Sequence, residues 1–139
     1  MAKMPKQVMD LFNDPDAVKF LATVDAEGKP NCAFIASLMA PGEDMLIFAD
    51  MMMNKTKNNL TDTGKVAATV YKAPWSSYQV KGTFEGFQRS GLLYDMAQAI
   101  SKESPQLRGK VYFYIKQIGV IRVEEVYLSQ VPLPGKRIA

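Results

Sequence analysis

The residues best equipped for chemistry stand together at Asn54-Lys55-Thr56-Lys57-Asn58-Asn59-Leu60. Asn54 suits an N-cap, where its side-chain oxygen would accept a hydrogen bond from a first-turn amide. The first amides of a helix have no intrahelical partner and lie at the positive end of its dipole. With Lys55 and Thr56 added, that turn offers several donors and a cation, which is what a dianionic phosphate requires. Asn59, one turn after Lys55, would add a side-chain amide on the same face. An ordinary solvated helix rich in lysine reads much the same, so the phosphate reading needs support from the rest of the chain.

Two strand-like runs must hold this turn. Met45-Leu46-Ile47-Phe48-Ala49 delivers the chain to Asp50 and the methionines at 51–53, and Val66 to Tyr71 takes it away after Gly64, a plausible left-handed helix cap. The methionines suit padding of a cofactor or a subunit interface, or plain core packing. Upstream, Val8, Leu11 and Phe12 at helical spacing predict an opening helix from Pro5 to Asn13. Phe20 to Val24 and Asn31 to Met39 flank the turn signal Asp25-Ala26-Glu27-Gly28, which predicts a hairpin. The run 31–39 is almost wholly apolar or small, so both its faces are expected to be covered. A second turn is expected at Pro41-Gly42-Glu43-Asp44.

Downstream, Tyr78 to Phe87 alternates, with Tyr78, Val80, Gly82, Phe84 and Gly86 on one side and Phe87 on the other. Its two glycines suit bends in a small barrel. Gly91 to Glu103 reads as a helix with Leu92, Leu93, Met96, Ala97, Ala99 and Ile100 on its buried side, closed by Ser104-Pro105. Val111 to Ile115 fits a strand or the end of that helical layer. Ile118 to Leu128 is a long last strand, and Pro132 to Arg137 reads as a mobile loop. The expected architecture is mainly β with minor α: one domain, residues 1–139, built on a six-stranded antiparallel barrel.

Composition narrows the function. The 139 residues are 47% hydrophobic and 22% charged, a globular profile. Seventeen basic and fourteen acidic residues are interspersed for a net charge of +3, which does not suggest a nucleic-acid surface. No apolar run approaches membrane-spanning length, and no secretory signal is visible, so a cytoplasmic protein is expected. Cys32 is the single cysteine, which fits a reducing compartment; on an apolar strand it is expected to be buried and inert. There is no histidine. That removes Ser-His and Cys-His hydrolases, most zinc sites and histidine-ligated haem. No metal site and no catalytic acid or base stands out, so chemistry would come from a cofactor.

The order of parts resembles the pyridoxamine 5′-phosphate oxidase-like FMN-binding split-barrel family. The resemblance spans roughly residues 15–128 and rests on Lys55-Thr56-Lys57-Asn58-Asn59-Leu60 followed by Gln79-Val80-Lys81-Gly82. It implies a homodimer with FMN in the cleft between subunits. Lys55 and Thr56 would hold the phosphate, supported by Asn54 and Asn59. The strand around Ala33, Phe34 and Ile35 would pass along the flavin ring, with Phe48, Ala49 and Asp50 against the ring or ribityl chain. Trp75 and Gln79 would come from the other subunit. The chain lacks the histidine and extra basic residues with which pyridoxamine-phosphate oxidases bind a second phosphate, so it is more similar to the short stand-alone FMN proteins of the family. The implied function is FMN-dependent hydride or electron transfer with a small-molecule or protein redox partner. The rivals are an F420-dependent reductase on the same fold and a protein that holds flavin without turnover.

Overall fold

The computed structural model describes residues 2–50, 53–103, 115–130 and 132–139, the last four of the 53–103 stretch as backbone alone. Met51, Met52, the stop at Ser104-Pro105, the side chain of Ile100 and the run Val111–Tyr114 lie outside the described residues.

The elements in chain order are α1 (Lys6–Phe12), β1 (Val18–Val24), β2 (Pro30–Phe34), β3 (Met39–Gly42), β4 (Met45–Asp50), α2 (Lys55–Asp62), β5 (Lys65–Lys72), β6 (Ser76–Gln88), α3 (Leu92–Glu103), β7 (Gln117–Leu128) and β8 (Lys136–Arg137). The strands form one antiparallel sheet in the order β2-β1-β5-β6-β7-β4-β3, with β8 added to β7. The fold is mainly β with three helices, as the turn signals predicted. Its described strands number eight rather than six.

Two changes produce the extra strands. The apolar run 31–39 divides: Ile35 N–H donates to the Lys19 carbonyl at 2.9 Å, and Leu38 N–H turns back to the Ile35 carbonyl at 3.3 Å. Met39 then starts β3 against Ile47. Pro41 and Gly42 therefore lie in a strand, and the turn falls on Glu43-Asp44. The tail also pairs: Lys136 and Arg137 lie opposite Leu128 and Tyr127, and Val126 and Ala139 exchange backbone hydrogen bonds. Its backbone donors find partners on β7, which a free loop would not provide.

The sheet wraps one core and backs a second. Val8 and Phe12 of α1 pack with Leu21, Leu46, Phe48, Leu60, Val70 and Val123. On the other side Ile47, Ala49, Ile118 and Val120 meet Ala97 of α3. The helical spacing of α1 was legible; that of α3 was read too broadly. Leu92 is 82% exposed and Ala99 is exposed, leaving Leu93, Met96 and Ala97 to pack.

Bulges explain where strict alternation failed in β6. The register against β7 slips between Lys81 and Gly82 and again between Phe84 and Gly86. Gly86 takes φ +125, and the inserted residue turns Phe87 to the same side as Phe84. Their ring centroids are 4.8 Å apart, and each lies 6.4 Å from that of Phe48. At Gly119 a β-carbon would sit 2.1 Å from Phe48 Cζ, so this aromatic cluster depends on a residue without a side chain.

Candidate functional site

The first turn of α2 sits against the β1–β2 hairpin, and side chains fasten the two. Asn31 Nδ2 donates to Thr56 Oγ1 at 3.2 Å. Asn59 Nδ2 donates to Thr23 Oγ1 at 3.0 Å. Thr63 Oγ1 donates to the Val24 carbonyl at 2.9 Å. The hairpin is itself braced, because Asp25 Oδ1 accepts from Glu27 and Lys29 amides at 2.9 and 2.8 Å. Between hairpin and helix lies a cleft of about 310 Å³ lined in part by Lys29, Asn31, Lys55 and Asn58.

Thr56, Asn59 and Leu60 form the buried face of α2. Lys55 and Asn58 face out. Asn54 stands at the N-cap, but its side chain makes no capping bond there, contrary to expectation; its φ of −129° and ψ of −87° lie outside the usual capping geometry. The loop before the helix is held by Asp50 instead, whose Oδ1 accepts from Met53 N–H at 3.2 Å.

Asp50 is buried and tied on several sides. Its Oδ2 accepts from Gln117 Nε2 at 2.9 Å and lies 3.4 Å from Lys57 Nζ. Gln117 Oε1 in turn accepts from Arg89 Nε at 3.3 Å. Lys57 is thus committed to Asp50 and sits 5.9 Å from the Phe87 ring centroid. Lys55 and Lys29 have no ion pair among the described residues.

The predicted residues divide accordingly. Lys55, Thr56 and Asn59 come together as expected at the helix start. Phe48 and Ala49 are enclosed in the two cores, at 0% and 3% exposure, and present no side chain to a ligand. Asp50 is likewise turned into its own network. On β2, Ala33 pairs with Leu21 on the inner face, whereas Phe34 pairs with Phe20 on the outer face. Ile35 follows with its amide on Lys19. Trp75 lies at the far tip of the β5–β6 hairpin. The strand from Val66 to Lys72 and a turn at 73–75 separate it from the end of β5 nearest α2, roughly 20 Å along the sheet. Gln79 is half-buried on the outer face, opposite Thr69 and Tyr127.

Sequence reasoning missed Asn31, Thr23 and Gln117. The available signal was a polar residue at an inward position of an apolar strand, which must find a partner. It also expected β2 to be covered and Cys32 buried. Among the described residues of the single chain β2 is an edge strand, and Cys32 is exposed. The outer face of β1, β2 and β5 exposes large apolar side chains: Phe20 at 39%, Phe34 at 55% and Tyr71 at 42%, with Trp75 at 66% beyond them. Phe20 and Phe34 stack edge to face at 5.9 Å.

Electrostatic perturbation lies away from α2. Lys19 is buried on the inner face of β1, and burial lowers its pKa to about 8. Asp14 opposes that shift but is paired with Lys72 at 2.5 Å, which holds the Asp14 carboxyl below its ordinary range. Among the described residues no group of histidine, cysteine and carboxylates could hold a metal, and no helix is long and apolar enough to cross a membrane.

A family model for Pyridoxamine 5′-phosphate oxidase matches residues 4–129. An uncharacterized protein of Methanocaldococcus jannaschii is 32% identical over 126 residues, covering 88% of this chain and 80% of that protein. The crystal structure of HupZ from Group A Streptococcus superposes with a TM-score of 0.75 at 29% identity, over 98% of this chain and 100% of that one. An FMN-binding protein from Syntrophomonas wolfei subsp. wolfei gives a TM-score of 0.72 at 21% identity, over 92% and 88%. An F420 reductase and the heme storage protein HutZ of Vibrio cholerae share the fold at TM-scores of 0.67 and 0.62, with 20% and 13% identity, over 88% and 98% and over 91% and 94% of the respective chains. The chain belongs to the pyridoxamine 5′-phosphate oxidase family.

Proposed function

We propose that this member of the family is a flavoprotein that seats FMN by its phosphate at the first turn of α2 and serves hydride or electron transfer. One observation carries the reading: the first turn of α2 brings unspent donors to a cleft that Lys55 and Asn58 line together with Asp25, Lys29 and Asn31 of the hairpin. The amides of Lys55, Thr56 and Lys57 lack intrahelical partners by position. The Lys55 ammonium has no carboxylate partner among the described residues. The Thr56 hydroxyl is buried and already accepts from Asn31, so its own proton is left to donate. A set of donors with a cation suits a phosphate and repels a cationic ligand.

Lys55 and Thr56 would bind the phosphate, while Asn59 and Thr23 keep the helix at its distance from β1. When bound, the flavin supplies reversible acceptance of a hydride or of electrons. The chain supplies charge, orientation and exclusion of water. Without histidine, axial ligation of haem by that residue is closed to it.

The reading includes a homodimer. The apolar outer face around Phe20 and Phe34 suits cover by a second copy, and contiguous exposed apolar surface of this kind is a common mark of an interface. Trp75, remote from α2 of its own chain, and Gln79, on the outer face, would then serve the partner's site.

The test is a visible absorption titration of purified protein with FMN, riboflavin and F420. FMN is expected to bind roughly 100-fold more tightly than riboflavin, and a Lys55→Ala, Thr56→Ala double variant to lose about that factor, the scale of two charge-assisted contacts. Uptake of F420 in preference to FMN would overturn the cofactor assignment. Equal affinity of the double variant for FMN would overturn the site, and binding without any turnover of reductants would leave a carrier rather than an enzyme.

A further inference from the structure

We propose that residues 14–17, between α1 and β1, form a strap that opens when the buried Lys19 side chain is protonated and closes when it is not, because Lys72 at the surface holds Asp14, the carboxylate that Lys19 would otherwise pair with.

Lys19 is the exception among the buried polar side chains. It is 5% exposed, on the same face of β1 as Leu21 at 0%. Thr23 bonds Asn59, Ser37 bonds the Ala49 amide, Asp50 bonds Gln117 and Thr56 bonds Asn31. The Lys19 ammonium has no hydrogen bond or ion pair among the described residues. A buried charge without a partner is a standing cost to the closed structure.

Few charged groups face it. The loop supplies Asp14 and Asp16, and β5 supplies Lys72 at its end, with Tyr71 turned to the outer face. On α1, Lys6 and Asp10 pair with each other at 2.6 Å at the surface. The rest of β1, the segment 35–38 and β3 hold no titratable side chain. Asp14 alone acts on Lys19, and Asp14 in turn feels both Lys72 and Lys19. It is one counter-ion for two lysines, and Lys72 has it, with Nζ 2.5 Å from Oδ2. Burial therefore prevails at Lys19 and lowers its pKa to about 8.

The strap hangs between two fixed points. Asn13 is clamped to β3: its Nδ2 donates to the Ala40 carbonyl at 2.9 Å and its Oδ1 accepts from the Ala40 amide at 2.8 Å. Val18 is already in the sheet, opposite Tyr71. Between them, the half-exposed Asp14–Lys72 pair ties the strap to β5, and such pairs are weak. Its own turn bonds run from the Ala17 amide to the Asp14 carbonyl at 3.2 Å and from the Asp16 amide to Asp14 Oδ1 at 2.8 Å. These can break while α1 stays docked through Val8 and Phe12, a local opening rather than unfolding. Below pH 8 Lys19 is charged in the closed and the open form, and only the closed form bears the cost. Between pH 8 and pH 10.5 the closed form has released the proton and the open form still holds it, so rising pH closes the strap.

The test is millisecond hydrogen–deuterium exchange read by mass spectrometry from pH 7 to pH 9, each rate divided by the intrinsic rate at that pH. Segment 13–20 reports the strap, and segment 118–126 of β7 reports unfolding of the whole chain. The strap is expected to open at least about 100-fold more often than β7 at every pH. Its opening constant is expected to fall about tenfold across the range, as pKa values of about 8 closed and 10.5 open require. In Lys19→Met it should not change with pH. In Lys72→Met, Asp14 is free to pair with Lys19, which then keeps its proton throughout, and the change should shrink to about twofold or less. Equal opening constants for the two segments would mean that only the whole chain unfolds, and would overturn the strap. A strap constant that ignores pH in the unsubstituted protein, or the full tenfold change in either variant, would overturn the role of Lys19 and its counter-ion.

Discussion

Asn59, on the buried face of α2, donates to Thr23 of β1 at 3.0 Å, and both residues are at least nine-tenths buried. The bond fixes the height of the helix above the sheet. Replacing Asn59 with leucine strands the Thr23 hydroxyl without its donor. The expected cost is about 1–3 kcal/mol in urea denaturation. A Thr23→Val, Asn59→Leu pair should recover part of it. No recovery in the pair would mean the bond contributes little, and that packing alone places α2.

Asp50 joins the end of β4 to three neighbours at once, Met53, Gln117 and Lys57. Asp50→Ala leaves a buried glutamine amide and a loop amide unpaired. A loss of about 2–4 kcal/mol is expected. Asp50→Asn keeps an acceptor and should lose less. Flavin binding should weaken in step with stability, because Asp50 touches the loop that leads into the helix. A variant of full stability that no longer bound flavin would instead make Asp50 a direct ligand contact.

How far the sequence revealed the fold can be seen strand by strand. α1, β1, β4, β5, β7 and the hairpin turn were legible because each follows one period without interruption. β2 and β3 were merged because apolar composition does not mark a turn held by Ile35 and Lys19 backbone groups. Phe87 was assigned to the wrong side because a bulge resets alternation, and only pairing with β7 places the bulge. Lys55 and Thr56 could be placed at a helix start because the signals of a helix start are local. Asn31 and Gln117 were missed because their partners, Thr56 and Asp50, are distant in the chain.

Phe34 and Phe20 form an exposed edge-to-face pair on the outer sheet face. If a second copy covers it, Phe34→Asp should raise the dimer dissociation constant by roughly 30-fold or more, since buried aromatic anchors dominate such interfaces. Light scattering on a dilution series reads this, with far-UV circular dichroism as the fold control. An unsubstituted protein that is monomeric at every concentration would sink the dimer and the assignment of Trp75 and Gln79 to a partner's site.

Gly119 faces Phe48, and any β-carbon there would meet the ring. Gly119→Ala is expected to destabilise by about 1–3 kcal/mol through overpacking. Trimming the ring in Phe48→Leu should make the same alanine nearly neutral. If the double variant loses the full sum of both single changes, the clash is not the cause.

Lys19 carries the pH dependence. Burial lowers its pKa to about 8 from the ordinary 10.5, with Asp14 pulling the other way. The charged groups around it are few: Asp14 is already satisfied by Lys72 at 2.5 Å, and Asp16 lies beside that pair. Below pH 8 the ammonium is charged in both folded and unfolded chains, and the folded chain bears the whole cost of burying it. Between pH 8 and pH 10.5 the folded chain has released the proton while the unfolded chain still binds it, so stability contributed by this group rises with pH. Above that window the cost is gone. The penalty at neutral pH is on the order of 3 kcal/mol by this linkage. Lys19→Met keeps an unbranched apolar stem and removes the charge. It is expected to stabilise the protein by about 1–3 kcal/mol at pH 7, with the advantage shrinking steadily to nothing by about pH 10.5. Urea denaturation of both proteins at several pH values measures the difference directly. A methionine variant that is less stable at pH 7, by a margin that pH does not change, would mean the ammonium has favourable partners that outweigh its desolvation.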